Sequence, residues 1–221
     1  MSGKLGCIVT PETKAFHATL KLTPSSNADL PAWSRIEGTP RIGKANLTVG
    51  CCAAVAAVMR VQSELAFIKD FTPISEYEAL RVYSIVGGYD PSKTQPDGYN
   101  PTDNGINPEV LFQWWKENPI SGYKLLYSNA INPVDLVGLK ASVRYYRGAY
   151  LAMELSLQNQ NQNPLLPDGT KGSWGGHAVF DDGYIADRFD GTSWAQELSQ
   201  TDSYFTNQFV VAAWALEIAK A

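Results

Sequence analysis

The chain has 221 residues, 44% hydrophobic, 11% aromatic and 18% charged, with a net charge of −4. Such a length and apolar content support one domain with a sizeable core, whereas the sparse charge excludes the clustered Lys and Arg that nucleic acid requires. No run reaches the roughly 18 apolar residues of a membrane span, and MSGKLGCIVTPETKAF lacks the apolar core and cleavage site of a signal peptide, so the sequence reads as soluble, with neither leader nor pro-segment and no membrane partner.

In chain order, the first candidate is His17 in AFHATLKL, read as an extended or loop segment where a structural or surface role is expected. The run from Cys52 to Lys69 is apolar on most faces and predicts a central helix buried nearly all round, stopped by Thr72 and Pro73. Ser75 with Glu78 predicts a capping box, and Gly87 with Gly88 an end, for a second helix. NPEVLFQWWKEN and NPVDLVGLKASVRYY each place Asn before Pro, the order of a helix start. The stretch Leu157 to Gly176 reads as a long polar loop. After Gly148 the period becomes two: AYLAMELSL, HAVF, YIADRF and NQFVVAAWAL read as strands, with DDG as the hairpin turn between the middle pair. Helices first and an antiparallel sheet afterwards give an α+β fold.

The chemistry is narrowed by small numbers. Three cysteines, two of them adjacent, exclude a disulfide scaffold. With two histidines 160 residues apart and no Cys-x-x-Cys pair, no metal site is expected, and no cofactor. Asp90, Asp97 and Asp103 do not match an EF-hand and read as a turn-rich surface segment. Cys51 and Cys52 sit where the first turn of a helix stabilises a thiolate; the plainer account of either is a small buried apolar residue. His177 begins a strand after two glycines, Gly175 and Gly176, that let other backbone come close.

Within NLTVGCCAAV the order of residues resembles the papain-like cysteine peptidases, particularly small bacterial and phage-type members, in which an oxyanion-hole Gln precedes the nucleophile by six residues. The resemblance puts Cys52 in the nucleophile position, Cys51 as the spacer, and Asn46 where the Gln stands. DNGINPEVLFQWWKEN is similar to the family's glycine turn bordering the cleft, which implies substrate contacts at Asn104 and Gly105, and GGHAVFDDGY is similar to the strand bearing the catalytic His, which implies His177 with Gly176 beside it. DGTSW is similar to the segment after the third member and implies that Trp194 shields the site. The separation of 125 residues between Cys52 and His177 lies near the roughly 130 to 150 of papain relatives.

For the third member the family register falls on Arg188, which cannot accept an imidazole N–H, so Asp187 takes the role if the hairpin loop is Asp181, Asp182 and Gly183 and His177 faces Asp187 across the ladder. A two-residue loop would bring Arg188 there instead, and Asp187 would then be a solvated carboxylate. The resemblance implies one domain over 1–221, with about 44–147 as a helical lobe and about 148–221 plus the N-terminal segment as a β lobe. It also implies hydrolysis of a peptide or protein substrate through a thioester. The alternative is a non-catalytic papain-fold protein that binds an assembly partner, for example a phage virion component. Low charge and abundant Asn, Gln, Ser and Tyr fit that role, and the location is cytoplasmic or virion-associated accordingly.

Overall fold

The central helix forms over Cys52–Phe67 as α2 in a computed structural model that describes residues 4–21 and 30–221. It is buried without interruption through Ser63, which its alanines permit because short side chains let packed layers come close. The polar residues late in α2 are all bonded. Arg60 donates to Leu216 O at 3.0 Å and pairs with Glu64 at 2.9 Å. Gln62 donates to Thr72 O at 3.2 Å and accepts from Ile74 N at 2.8 Å, tying down the chain that leaves the helix. Lys69, at φ +68°, turns the chain before Thr72 is reached.

Ser75 caps α3 (Glu76–Gly87) by accepting from Tyr77 N, and Gly88 ends it at φ +71°. The expected capping box does not close, because Glu78 turns to Arg81 and to the N–H of Ser121. Asn107 caps α4 (Pro108–Glu117) with Pro108 leading, as expected. Helix α5 (Leu136–Tyr146) starts later than the sequence suggests. Asn132 spends its side chain on Val134 N and Leu20 O, and Asp135 is the cap through Gly138 N at 2.9 Å. The early segment is helical rather than extended: Thr10 caps α1 (Pro11–Thr19). His17 lies buried on α1 against the edge of Trp214, its Nδ1 3.0 Å from Ile131 O, a structural role.

Six antiparallel strands form one sheet in the order β1-β6-β2-β3-β4-β5, namely β1 (Tyr123–Ile131), β2 (Ala149–Leu155), β3 (Gly175–Ile185), β4 (Arg188–Ser193), β5 (Gln196–Thr201) and β6 (Val210–Lys220). The architecture is α+β, but β1 falls between α4 and α5 rather than after the helices; its burial follows no clean period of two. Strand β2 shows why the sheet is the middle layer. Tyr150 and Ala152 enter the core shared with α2, α3 and α4, while Leu151, Met153 and Leu155 enter a second core with α5 and the short helix α6 (Asp202–Thr206).

The hairpin turn is not at DDG. Asp181 pairs with Ala149 on one side and Gly191 on the other, the ladder shifts register around Asp182, and the turn comes at Ala186 and Asp187 between the paired Ile185 and Arg188. Asp182 is held inside by Arg35 at 3.2 Å. Asp181 is fully buried, and burial, with Asp182 beside it, pushes its carboxyl well up against the opposing pull of Gln200.

In the unfolded chain that carboxyl ionises near the ordinary value of about 3.9, whereas the fold retains the proton to higher pH, so stability falls as pH rises from about 4. Asp181→Asn is expected to lessen this fall, leaving the share of Asp182, whose carboxyl burial lifts to about 6, and to be about 1–3 kcal/mol more stable than the natural chain near pH 8 by urea unfolding. Identical pH dependence in both would contradict it.

Candidate active site

Cys52 is the first residue of α2, and Cys51 before it makes no side-chain cap, so the open N–H groups of the first turn are left for the sulfur. The backbone N–H groups of Ala178 and Gly6 lie near enough to favour its thiolate. Ala178 follows His177 on β3, so the head of α2 packs beside the strand that carries the imidazole. Cys51 is fully buried in the core.

His177 is fully buried. Its Nε2 lies 2.7 Å from Ser193 Oγ, and its Nδ1 has no partner among the described residues. Trp194 stacks on the imidazole at 4.4 Å and 9°, and Trp174 from the long loop stacks on Trp194 at 5.6 Å. The turn that presents Trp194 joins the paired Ser193 and Gln196 with Trp194 and Ala195 both left-handed, at φ +50° and +57°. Non-glycine residues adopt this conformation at a cost of about 1–3 kcal/mol each, a strain that clusters at sites the surrounding structure over-determines.

The partner of the imidazole is therefore Ser193 and not Asp187. Moving the turn from DDG to Ala186 and Asp187 carries Asp187 to the exposed far end of the hairpin, where its carbonyl accepts from Asp202 N at 2.8 Å. Arg188 is also there, paired with Asp190 at 3.3 Å. The dipeptide Ser193-Trp194 was the available signal, since the residue before the shielding Trp is delivered to the same place.

Asn46 stands in a 3₁₀ turn, Lys44–Leu47, buried, with both side-chain polar atoms unpartnered among the described residues. Glu76 at the head of α3 fixes that turn by accepting from Gly43 N at 2.8 Å and Ala45 N at 3.4 Å. Asp103 is no surface residue. It accepts from Gly50 N at 2.8 Å and from Tyr83 Oη at 2.7 Å, and the Tyr83 oxygen accepts from Gly105 N, so one carboxylate locks the loop before Cys52 to the glycine turn. Gly105, at φ +80°, packs against the backbone of Gly6, while Asn104 is exposed and bonds Pro101 O.

Residues 4–9 run between this turn and β3. Gly6 O accepts from Ile106 N at 2.8 Å, Ile8 N donates to Ile106 O at 3.0 Å, and Cys7 N donates to Gly176 O at 3.2 Å. A Cβ on Gly6 would lie 1.7 Å from Gly50 O, and one on Gly176 would lie 2.1 Å from Cys7 O. The strap thus fits only as glycine against backbone. No pro-segment was expected from the sequence, because six residues without periodicity carry no signature. With the strap seated, burial pushes the Cys52 thiol up to about 11 and the His177 imidazole down to about 3, so both are neutral in this form.

Solved structures share this architecture. Xylellain, a cysteine protease from Xylella fastidiosa, superposes at a TM-score of 0.67 over 97% of this chain and 95% of its own, with 16% identity. The fold is that of the papain-like cysteine peptidases. A recombinant stem bromelain precursor matches at 0.59 with 15% identity over 97% of this chain and 77% of its own, and procathepsin L 3 of Tenebrio molitor larval midgut at 0.52 with 14% identity over 93% and 78%. No protein-family model matches the sequence, and no curated protein sequence does. No helix among the described residues is long and apolar enough to cross a membrane.

Ser193→Ala removes the one hydrogen bond to the buried papain-like imidazole, at an expected cost of about 1–3 kcal/mol. Nitrogen-15 spectra, in which only two histidines appear, are expected to show His177 changing its tautomer balance while His17 stays put. An unmoved His177 signal would dismiss Ser193 as its partner.

Proposed function

We propose that the chain is a papain-like cysteine peptidase held closed by residues 4–9, which cleaves peptide bonds by acyl transfer through Cys52. The observation that carries this reading is Cys52 at the head of α2, packed in one cluster with Ala178, the residue that follows His177 on β3. Once Ser193 accepts the Nε2 proton, Nδ1 keeps its lone pair free to take the thiol proton and later to protonate the leaving amine. The Cys52 N–H and the Asn46 amide, unpartnered and buried, would hold the oxyanion.

The strap is not itself a substrate on this account. Gly6 keeps its N–H near the sulfur and gives its carbonyl to Ile106, so no carbonyl carbon is offered to the thiol. A peptide replacing it would take the same backbone partners, Ile106 and the Gly176 carbonyl, beside Gly105, with Trp194 excluding water from the imidazole. Readmitted water relieves the burial that keeps thiol and imidazole neutral, and the thiolate–imidazolium pair becomes accessible. The bromelain and beetle structures are described as a precursor and a procathepsin, which suits a chain in its closed form.

Gly6→Ala tests this in the full chain, because the added methyl collides with backbone at Gly50 and unseats the strap. Iodoacetamide labelling of Cys52 near neutral pH is expected to rise roughly a hundredfold, as the thiol falls from about 11 toward its ordinary value, and peptide hydrolysis is expected to appear. Adding Cys52→Ala should abolish turnover, and Asn46→Ala should lower it about 10²-fold. An unseated strap with labelling indifferent to His177→Ala and no hydrolysis would favour the non-catalytic assembly protein.

A further inference from the structure

All three cysteines of the chain lie in one buried cluster at the cleft, and one of them belongs to the strap. Cys7 follows Gly6, whose N–H lies near the Cys52 sulfur. Its own N–H is fixed to Gly176 O, two residues before Ala178, whose N–H also lies near that sulfur. With only 7% of Cys7 exposed, its side chain lies with Cys52, Ala178 and Tyr150 in a single apolar cluster. Tyr150 donates to Ala53 O at 3.1 Å, which puts the phenol at the first turn of α2. Successive Cα atoms lie about 3.8 Å apart, and a disulfide needs Cα atoms about 4.4–6.8 Å apart. A strap fixed to Ile106 and Gly176 and packed in one cluster with Cys52 therefore delivers Cys7 to the right neighbourhood, whereas the adjacent Cys51 and Cys52 could join only through a strained ring.

We propose that Cys7 is a resolving cysteine, which captures an oxidised Cys52 as a Cys7–Cys52 disulfide and so locks the strap covalently in the cleft. The inference rests on Cys52 being the reactive thiol of the function proposed above. Two steps balance the chemistry. When the strap lifts, the Cys52 thiolate attacks a peroxide, which is reduced to its alcohol or to water, and leaves a sulfenic acid on Cys52. When the strap returns, the Cys7 sulfur attacks the sulfenic sulfur, the S–O bond breaks, and water departs with the thiol proton as the S–S bond forms. A cellular dithiol reverses the lock by exchange.

Seated and reduced, both thiols are protonated by burial, so a closed cleft does not react and oxidation reports on opening. A reversible lock also spares Cys52 from the sulfinic and sulfonic acids that thiols do not repair.

The test treats the full natural chain with hydrogen peroxide near neutral pH, alkylates it under denaturing conditions and maps peptides without reduction. The expected result is loss of two thiols, a linked pair containing Cys7 and Cys52, and full recovery of both thiols with dithiothreitol. Cys51→Ala is expected to form the same pair. Cys7→Ser is expected to convert Cys52 to sulfinic and sulfonic acids that dithiothreitol does not reverse. A Cys51–Cys52 pair, or equal irreversible oxidation of Cys52 with and without Cys7, would overturn the proposal. Gly6→Ala is a second variant that opens the cleft; if its Cys52 oxidises without ever linking to Cys7 while the natural chain links nothing, the proposal also fails. Peptide hydrolysis is measured separately on the reduced samples, so absence of turnover defeats the peptidase reading and leaves the disulfide result standing or falling by itself.

Discussion

The structure turns on the close packing of α2 against β3, which places Cys52 at the head of the helix in one cluster with Ala178. That packing is possible because the first half of α2 is mostly alanine, valine and cysteine, so a sheet can pack against one face and helices against the others without voids. The same packing leaves no room for water around Cys52 or His177. Their neutrality in the closed form is a direct consequence, since burial penalises whichever state carries charge.

Around this junction, two carboxylates do organising work that their sequence neighbourhoods do not advertise. Glu76 holds the turn bearing Asn46, and Asp103 joins the Gly50 loop to the Gly105 turn through Tyr83. Each accepts from backbone N–H groups or a hydroxyl in a partly buried setting, where charge-assisted bonds are stronger than neutral ones. The residues expected to do chemistry are thus presented by loops whose shape is set from elsewhere in the chain. The strap exploits the same loops: it takes Ile106 on one wall and Gly176 on the other, and Lys4 reaches Asp103 at 2.9 Å. On the proposed function, an incoming peptide would have to displace bonds that mimic its own.

The second constraint is the aromatic stack on the imidazole. Trp174, Trp194 and His177 are stacked in roughly parallel layers, and the left-handed turn at Trp194 and Ala195 is strained to present them. Ser193 is carried by that turn. A serine can accept the imidazole proton, as an amide would, but it is shorter, so the strand end must come nearer to His177.

The sequence by itself determined the elements whose signals are local. Those are the buried central helix, the Asn107-Pro108 and Ser75 helix starts, the Gly88 stop and the late strands at AYLAMEL, HAVF and FVVAAWAL, whereas YIADRF is divided by the turn at Ala186 and Asp187 and the late strands are buried on both faces rather than alternately. Only the tertiary structure decided the rest. DDG could be a turn or a bulged stretch of ladder with equal local propriety, and burial against Arg35 and Gly191 chose the ladder, which removed Asp187 from the imidazole and put Ser193 beside it. Helix α1, strand β1 and the strap owe their places to partners distant in sequence, among them Trp214, β6 and Ile106. Hydrogen bonds and packing across such separations leave no periodicity in the segment itself, and that is why a single sequence does not disclose them.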